Sequence, residues 1–379
     1  MMNKEYKILL ISPDYPPPLI GGSLVYINNL INNSELKYTI LSNKASRKET
    51  DRISFIESNF ITDSHDPSRI KLLLMYIYLI IKSLGFRKYD CVILNISALG
   101  NGLIARLNSL FRGKTIIIAY AEELTVALYN QNLKAKLKQL FMSGYKKADM
   151  IISVSHFAKN LMVERLNVKS PINVIPTPLH DEKLILNEKT TSNRKGVLSV
   201  GRLIKRKGFD LLIESFYEVN KKYPELILTI IGDGPEKEHL YNEINRLSLE
   251  SNVKIFSNVT SDFLSKQYMD NELFVLANHM LENGDCEGAP NVFIEAGAYG
   301  MPSIAGIEGG ASDVVEHGET GFLIDPRNTK VLAATILEFL DNKDKLASMG
   351  KKAKLKVRND HDKRLAGKKF REYIFECIE

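Results

Sequence analysis

The chain has 379 residues, which points to two domains rather than one. Hydrophobic residues make up 44% and charged residues 25%, an ordinary globular composition that excludes disorder as the dominant state. The net charge of +6 allows an anionic partner but does not by itself call for nucleic acid, and none is expected.

In chain order, the first element is an apolar run, Lys7–Ser12, read as a strand. Its core, Ile8 to Ile11, is too short for a signal-peptide core, and prolines follow at once, so no export signal is expected. A Pro-rich turn and Gly21-Gly22 lead into a helical stretch. There Leu24, Ile27, Leu30 and Ile31 recur at i, i+3 and i+4 spacing, which gives one apolar face. Leu72 to Ile81 is the longest apolar run, flanked by Lys71 and Lys82. It is far short of the roughly 20 residues that span a bilayer as a helix. The favoured reading is a buried core helix, and the other is a surface that touches membrane. Cys91–Asn95, Thr115–Ala119 and Met150–Val154 complete four short, nearly all-apolar strands, the pattern of a parallel sheet covered on both faces. Between the last two, Lys134, Lys136, Lys138, Lys146 and Lys147 alternate with Leu133, Leu137, Leu140 and Phe141. This reads either as a solvated face or as a basic amphipathic helix that binds anionic lipid peripherally and salt-sensitively. His156 follows Ser155 at a helix start and is read as a capping-region residue.

Pro176–Lys195, polar and with two prolines, reads as an inter-domain linker. Strand-like runs then resume at Gly196–Val200, Leu226–Ile231, Val253–Phe256, Leu273–Leu276 and Ser303–Ala305, alternating with helical patterns. The charged tail, Lys351–Glu379, is helical by pattern and lies beyond the last βα unit, so it is free to pack back on the first domain. The cysteines, Cys91, Cys286 and Cys377, form no CxxC pair; a zinc site and a disulfide framework are not expected, and a reducing cytoplasm fits.

Three features of the second half carry chemistry. Gly201-Arg202 and Lys207-Gly208 stand in a strand-to-helix turn, where parallel sheets bind ligands. Glycine admits an anion close to the backbone, and Arg and Lys neutralise a diphosphate. A solvated basic turn is the alternative, since Lys205 and Arg206 also sit there. Gly232-Asp233-Gly234 reads as a tight turn that merely lines the site. Glu287 and Glu295 lie eight apart in EGAPNVFIE. Pro290 suits a first helical position, so a helix is expected to begin there. Its free N–H groups would face a phosphate, and Glu295, on an otherwise apolar helix, would need a hydroxyl or a cation. Each glutamate taken singly is read as a capping or surface residue.

Taken together, PPPLIGG, ADMIISVS at 148–155, VGRLIKRKGFDLLIESF at 200–216, IGDGP at 231–235, EGAPNVFIEAGAYGMP at 287–302 and GG…GETGFLIDP at 309–326 make the chain resemble glycosyltransferase family 4, retaining enzymes of the GT-B fold. The resemblance covers most of the chain. It implies an α/β protein of two Rossmann-like domains whose parallel sheets face each other across a cleft. The acceptor-binding domain would span 1–180 with the C-terminal helix 358–379, and the donor-binding domain 186–357. It implies transfer of a hexosyl group from a nucleotide sugar, with retention, to a lipid-linked or oligosaccharide acceptor in surface polysaccharide biosynthesis. The site would be cytoplasmic, on or near the inner face of the membrane. Arg202 and Lys207 match the diphosphate-binding pair, Glu295 the ribose-binding glutamate and Glu287 the glutamate near the donor sugar. Gly21 and Gly22 match the loop over the phosphates. Gly201, Gly288 and Asn291 complete the donor site, with the nucleobase against backbone near Phe256–Val259. No cofactor or metal is expected: the one Asp-x-Asp spacing, Asp360-His-Asp362, lies in the tail.

Two features depart from the family pattern. After Thr115–Ala119 many members carry a histidine that contacts the transferred sugar. Here Tyr120, Ala121, Glu122 and Glu123 stand there, with Glu122 or Glu123 facing either the acceptor or solvent. This keeps open a non-catalytic nucleotide-sugar-binding subunit and, less so, a GT-B-like sugar-nucleotide epimerase. In the linker, Thr177-Pro178 replaces a frequent Asn-Gly turn and stiffens the hinge.

Overall fold

The computed structural model describes residues 5–16, 22–45, 47–62, 68–111, 113–129, 133–179 and 194–379. The chain divides into two compact units, Met1–His180 with Lys363–Glu379, and Asp181–Asp362.

The first unit runs β1 (Ile8–Ile11), α1 (Gly22–Asn33), β2 (Tyr38–Ser42), β3 (Ile53–Glu57), α2 (Arg69–Ser83), β4 (Cys91–Leu94), α3 (Ala98–Leu110), β5 (Lys114–Ala119), α4 (Ala121–Tyr129), α5 (Leu133–Met142), β6 (Met150–Ser153), α6 (His156–Glu164) and β7 (Ile172–Val174). Its seven strands pair in the order β3-β2-β1-β4-β5-β6-β7, and every pairing is parallel. β1, β4 and β6 are buried at every residue, as strands covered on both faces must be. The four expected strands are present. Three strands were not expected, β2, the edge strand β3 and the three-residue β7; none of them is buried at every residue, so none reads as a continuous apolar run. Serines cap the helices where the chain leaves the sheet: Ser97 Oγ accepts from Gly100 N, and Ser155 Oγ from Ala158 N. His156 is therefore the first residue of α6, beside its cap.

The second unit runs β8 (Val197–Val200), α7 (Phe209–Lys222), β9 (Leu228–Ile231), α8 (Lys237–Arg246), β10 (Val253–Phe256), α9 (Ser261–Asp270), β11 (Leu273–Leu276), α10 (Asn291–Ala298), β12 (Ser303–Gly306), β13 (Gly321–Ile324), α11 (Thr329–Asp341) and α12 (Lys343–Asp360). Its six strands pair in parallel in the order β10-β9-β8-β11-β12-β13. In both sheets the winding reverses beside the first strand: β1 lies between β2 and β4, and β8 between β9 and β11. Ligands of open parallel sheets bind outside the carboxyl ends of strands at such reversal points.

A last helix, α13 (Lys363–Ile378), returns to the first unit. It buries Ala366, Phe370, Ile374 and Cys377 and packs on α1, β4 and β5, while Arg371 pairs with Glu35. The expected boundary at 358 moves to Lys363 because α12 continues unbroken to Asp360. Asp360 is there engaged by Lys356 at 3.0 Å.

One expectation is overturned. The apolar segment Leu72–Ile81 is helical but is not a buried core helix. Met75 and Leu79 face inward, while Ile70, Leu73, Leu74, Ile77, Ile80 and Ile81 remain exposed. A helix lying on one side of a sheet has only one face to bury, and here the outer face is apolar too.

The seat of α13 rests on close backbone approach. A Cβ on Gly367 would lie 2.3 Å from the carbonyl carbon and oxygen of Asn33 in α1. Gly367→Ala is expected to lower stability by about 1–3 kcal/mol through overpacking. Thermal unfolding checks this, and an unchanged midpoint would show that α13 is not held in this way.

Candidate functional site

The site in the second unit begins where β8 ends. Lys205–Lys207 form a single 3-10 turn closed by Gly208, which has φ of +64°. A Cβ there would also lie 2.1 Å from the Ala277 carbonyl oxygen, so only glycine fits. This turn presents Arg206 and Lys207 beside the loop that follows β11, and His279 N donates to the Arg206 carbonyl at 3.0 Å.

Glu287 comes from that loop and is 7% exposed. Its Oε1 accepts from Arg206 Nε at 2.7 Å, and its Oε2 pairs with Lys207 Nζ at 2.8 Å. Arg206 Nη1 reaches both oxygens of Asp285, at 3.0 and 3.1 Å. Two cations and two carboxylates thus form one network, in which neither Glu287 oxygen is left unpaired. Gly310 N donates to the Glu287 carbonyl at 2.8 Å and fixes its backbone. Burial pushes the Glu287 carboxyl up, but the charges of Lys207 and Arg206 overcome this and hold it below the usual carboxylate range. The Lys207 side chain lies against Gly201, where a Cβ would stand 3.6 Å from its Nζ.

Glu295 stands on α10. Its Oε2 accepts from Tyr268 Oη at 2.8 Å, and the Tyr268 ring stacks on Tyr299 with centroids 5.2 Å apart. Burial raises the Glu295 carboxyl, against the opposing pull of the Tyr268 hydrogen bond and the Lys207 charge. Lys207 therefore acts on both glutamates. The helix begins one residue later than expected: Pro290 has ψ of 100°, outside helical values, and is the N-cap, with Asn291 as the first helical residue. The side-chain oxygen of Asn291 is buried without a hydrogen-bond partner among the described residues.

Gly201, Lys207, Glu287 and Glu295 are thus brought together, with Gly288 and Asn291 on the stretch that joins the two glutamates. Arg202 is exposed and stands outside the ion-pair network. Arg206, which entered the sequence reading only through the alternative of a solvated basic turn, is the residue that binds both Glu287 and Asp285. The acidic pair Asp285 and Glu287, two apart, was the available signal for it. Tyr268 gave none, being one tyrosine on an unremarked helix. After β9 the chain turns at 234–237, where Lys237 N donates to Gly234 O at 3.2 Å, and pairs with the loop after β8: Leu203 N donates to Asp233 O at 2.8 Å, and Glu236 N to Leu203 O at 3.0 Å.

In the first unit Gly22 opens α1, and Gly21 lies outside the described residues. At the carboxyl end of β5, where the histidine is missing, Tyr120 Oη lies 3.0 Å from Asn95 Oδ1 and 3.2 Å from Ser23 O. Asn95 Nδ2 in turn donates to Ser12 Oγ at 3.0 Å, so the ends of β1, β4 and β5 are linked. Glu122 is exposed, and the Glu123 side chain lies outside the described residues.

This arrangement of loops has a known counterpart. The profile of the family described as "Glycosyl transferases group 1" matches residues 181–356, nearly the whole second unit. Residues 181–356 belong to the group 1 glycosyl transferases. An uncharacterized glycosyltransferase of Haemophilus influenzae is 31% identical over 208 residues, 55% of this chain and 56% of the relative. A GDP-mannose-dependent alpha-(1-6)-phosphatidylinositol monomannoside mannosyltransferase of Mycobacterium tuberculosis is 32% identical over 158 residues, 41% of each chain. The chain thus spans about half the length of the curated relatives it matches. Among solved structures, Anabaena HepE in complex with UDP aligns with a TM-score of 0.70 over 98% of this chain and 100% of that one, at 18% identity. A likeness at that identity shows the fold, which is GT-B.

The two glutamates of the second unit have opposite linkage to pH. The folded Glu287 carboxyl lies below its ordinary value of 4.5, so its stabilising contribution is complete above that value and is lost as pH falls through the lower folded one. Glu295 is raised, so its contribution is complete below 4.5 and is lost as pH rises through the folded value. At neutral pH a charged Glu295 costs the fold stability. Glu287→Gln is expected to cost about 3–5 kcal/mol, because it leaves the buried Lys207 without its counter-charge and Arg206 with Asp285 alone. Glu295→Gln is expected to leave the melting temperature unchanged or to raise it. Thermal melts at pH 7 check both. A stable Glu287→Gln or a strongly destabilised Glu295→Gln would reverse the assignment.

Proposed function

We propose that the chain is a retaining, metal-independent hexosyltransferase of the family 4 type. It would move a sugar from a nucleotide-sugar donor to a glycan or lipid-linked acceptor of a surface polysaccharide. The observation that carries this reading is the convergence of Lys207, Glu287 and Glu295 at the reversal point of the second sheet, within a group 1 glycosyl transferase domain.

As the glycosidic bond breaks, negative charge grows on the departing nucleoside diphosphate. Lys207 Nζ, held at 2.8 Å from Glu287, is a preorganised cation that needs only a small shift to meet a phosphate oxygen. Exposed Arg202 can swing onto the same diphosphate, and the N-terminus of α10 offers its free N–H groups. Glu295 keeps one oxygen on Tyr268 and has the other for the ribose hydroxyls, whose hydrogen bonds would repay the burial that raises its carboxyl. Glu287, fixed by two cations, lies where the sugar would be held. Phe256, partly exposed and 5.2 Å from Phe263, and the backbone after it border the place proposed for the nucleobase. The Mycobacterium tuberculosis relative and HepE, named for GDP-mannose and UDP respectively, support a nucleotide sugar as donor and leave the base open.

Lys207→Ala is expected to reduce turnover by about 10²–10³, and Lys205→Ala to change it little. Glu295→Gln is expected to weaken nucleotide-sugar binding by about tenfold, or 1.4 kcal/mol, in a titration. Incubation of donor with an acceptor extract should give transfer with the anomeric configuration kept, and chelator should leave it intact. Epimerisation of donor alone, binding without turnover, or loss of activity in EDTA restored by a divalent ion would each overturn the proposal.

A further inference from the structure

The outer face of α2 has no partner among the described residues, and its composition points to what covers it. Ile70, Leu73, Leu74, Ile77, Ile81 and Leu84 follow one another at helical spacing along it, and Ile70 is 71%, Leu73 60% and Ile81 63% exposed. Single exposed apolar residues are commonplace, but a contiguous stripe on a helix whose other face is already packed is not. Between Ser68 and Tyr89 the chain has five basic residues and no acidic one. Lys71 stands at one end of the stripe, and Lys82, Arg87 and Lys88 at the other, all exposed. Phe60, 56% exposed, stacks on Tyr78 at its border, and Lys82 Nζ lies 5.6 Å from the Tyr78 ring.

We propose that this face of α2 docks on a lipid bilayer that carries anionic headgroups. The helix would lie in the plane of the interface, with its isoleucines and leucines among the acyl chains and its basic ends on phosphates. Its 15 residues make it about 22 Å long, and no described helix of the chain is long and apolar enough to cross a membrane. A second copy of the chain is the less favourable occupant. Antiparallel pairing of two α2 helices would set Lys71 of one copy against Lys82 of the other, and parallel pairing would set each lysine against itself, with no acid on the face to offset either. The same side of the sheet extends the basic character: α2 packs on α3 and α3 on α5, where Lys136 and Leu140 are exposed, followed by Lys146 and Lys147. The proposal concerns the first unit alone and stands whether or not the donor reading of the second unit holds.

The test is co-sedimentation of the full chain with phosphatidylcholine vesicles and with vesicles that also contain phosphatidylglycerol. The chain is expected to sediment with the anionic vesicles and much less with the neutral ones. Combining Leu73→Glu, Ile77→Glu and Ile81→Glu should reduce partitioning at least tenfold. Because these side chains are exposed, the melting temperature and nucleotide-sugar binding should stay as in the wild type, which separates loss of docking from loss of fold or of donor site. Lys71→Ser with Lys82→Ser should weaken binding to anionic vesicles and spare the residual binding to neutral ones. The proposal is overturned if the wild type stays in the supernatant with both vesicles, if the triple variant sediments as the wild type does, or if the triple variant instead abolishes a dimer seen in gel filtration without vesicles.

Discussion

A single buried carboxylate organises the second unit. Arg206 and Glu287 are 81 positions apart in the chain, yet Arg206 and its neighbour Lys207 both close on the same glutamate, and Arg206 extends the bond to Asp285. Removing two cations and a carboxylate from water is costly unless every charge finds its counterpart, so the loops after β8 and β11 must meet in one arrangement. Gly208 and the Gly310 amide exist in this context as the means of that approach. A network of this kind is weak evidence of stability gained relative to an apolar core. It does fix where the Lys207 nitrogen stands, and the role proposed for that cation needs it placed in advance of the reaction.

The sheet supplies the frame for this. Parallel strands need crossover helices, and those helices cover both faces, which is why the strands are short and apolar throughout. The winding reverses beside β8, and it is at the carboxyl ends of strands at such a reversal that open parallel sheets bind ligands. Glu287 and Glu295 enter it with opposite electrostatic histories. One is over-compensated by two cations, while the other is buried against the pull of a tyrosine hydroxyl and the Lys207 charge, which do not offset its burial. A residue kept at a cost to the fold is consistent with the ribose-binding role proposed for Glu295.

The first unit shows a different use of surface. Its core takes Leu79 and Met75 of α2, with Leu72, Tyr76 and Tyr78 partly buried against it, so an apolar run that looks like core has a dry side and a wet one. The hydrophobic effect acts on every exposed isoleucine of α2 alike, and with none of the described residues against that face the driving force remains unspent. Basic residues at both ends, with no acid between, give the unsatisfied face a sign. At the opposite edge of the question, the carboxyl end of β5 carries Tyr120 in place of a histidine, tied to Asn95 and Ser23 and thereby to the ends of β1 and β4.

The sequence by itself determined the alternation of strands and helices, the two halves, the Gly-Arg and Lys-Gly turn and the paired glutamates. Each of these is a local pattern: apolar runs bounded by turns, glycines where backbone must approach, and a proline one residue ahead of α10. It even placed the tail correctly as an element free to join the first unit, because a helix beyond the last βα repeat has nothing left to cross over. What only the tertiary structure decided was partnership. No spacing rule says that Arg206 rather than Arg202 closes on Glu287, since a five-residue turn can aim either side chain inward. That choice depends on the φ of Gly208 and on the backbone of Ala277 against it. Tyr268 finds Glu295 from another helix, and the edge strand β3 forms against β2 although its own residues are half in water. Likewise a hydrophobic run fixes that α2 is a helix, but which of its faces meets protein is set by the single sheet face available to it.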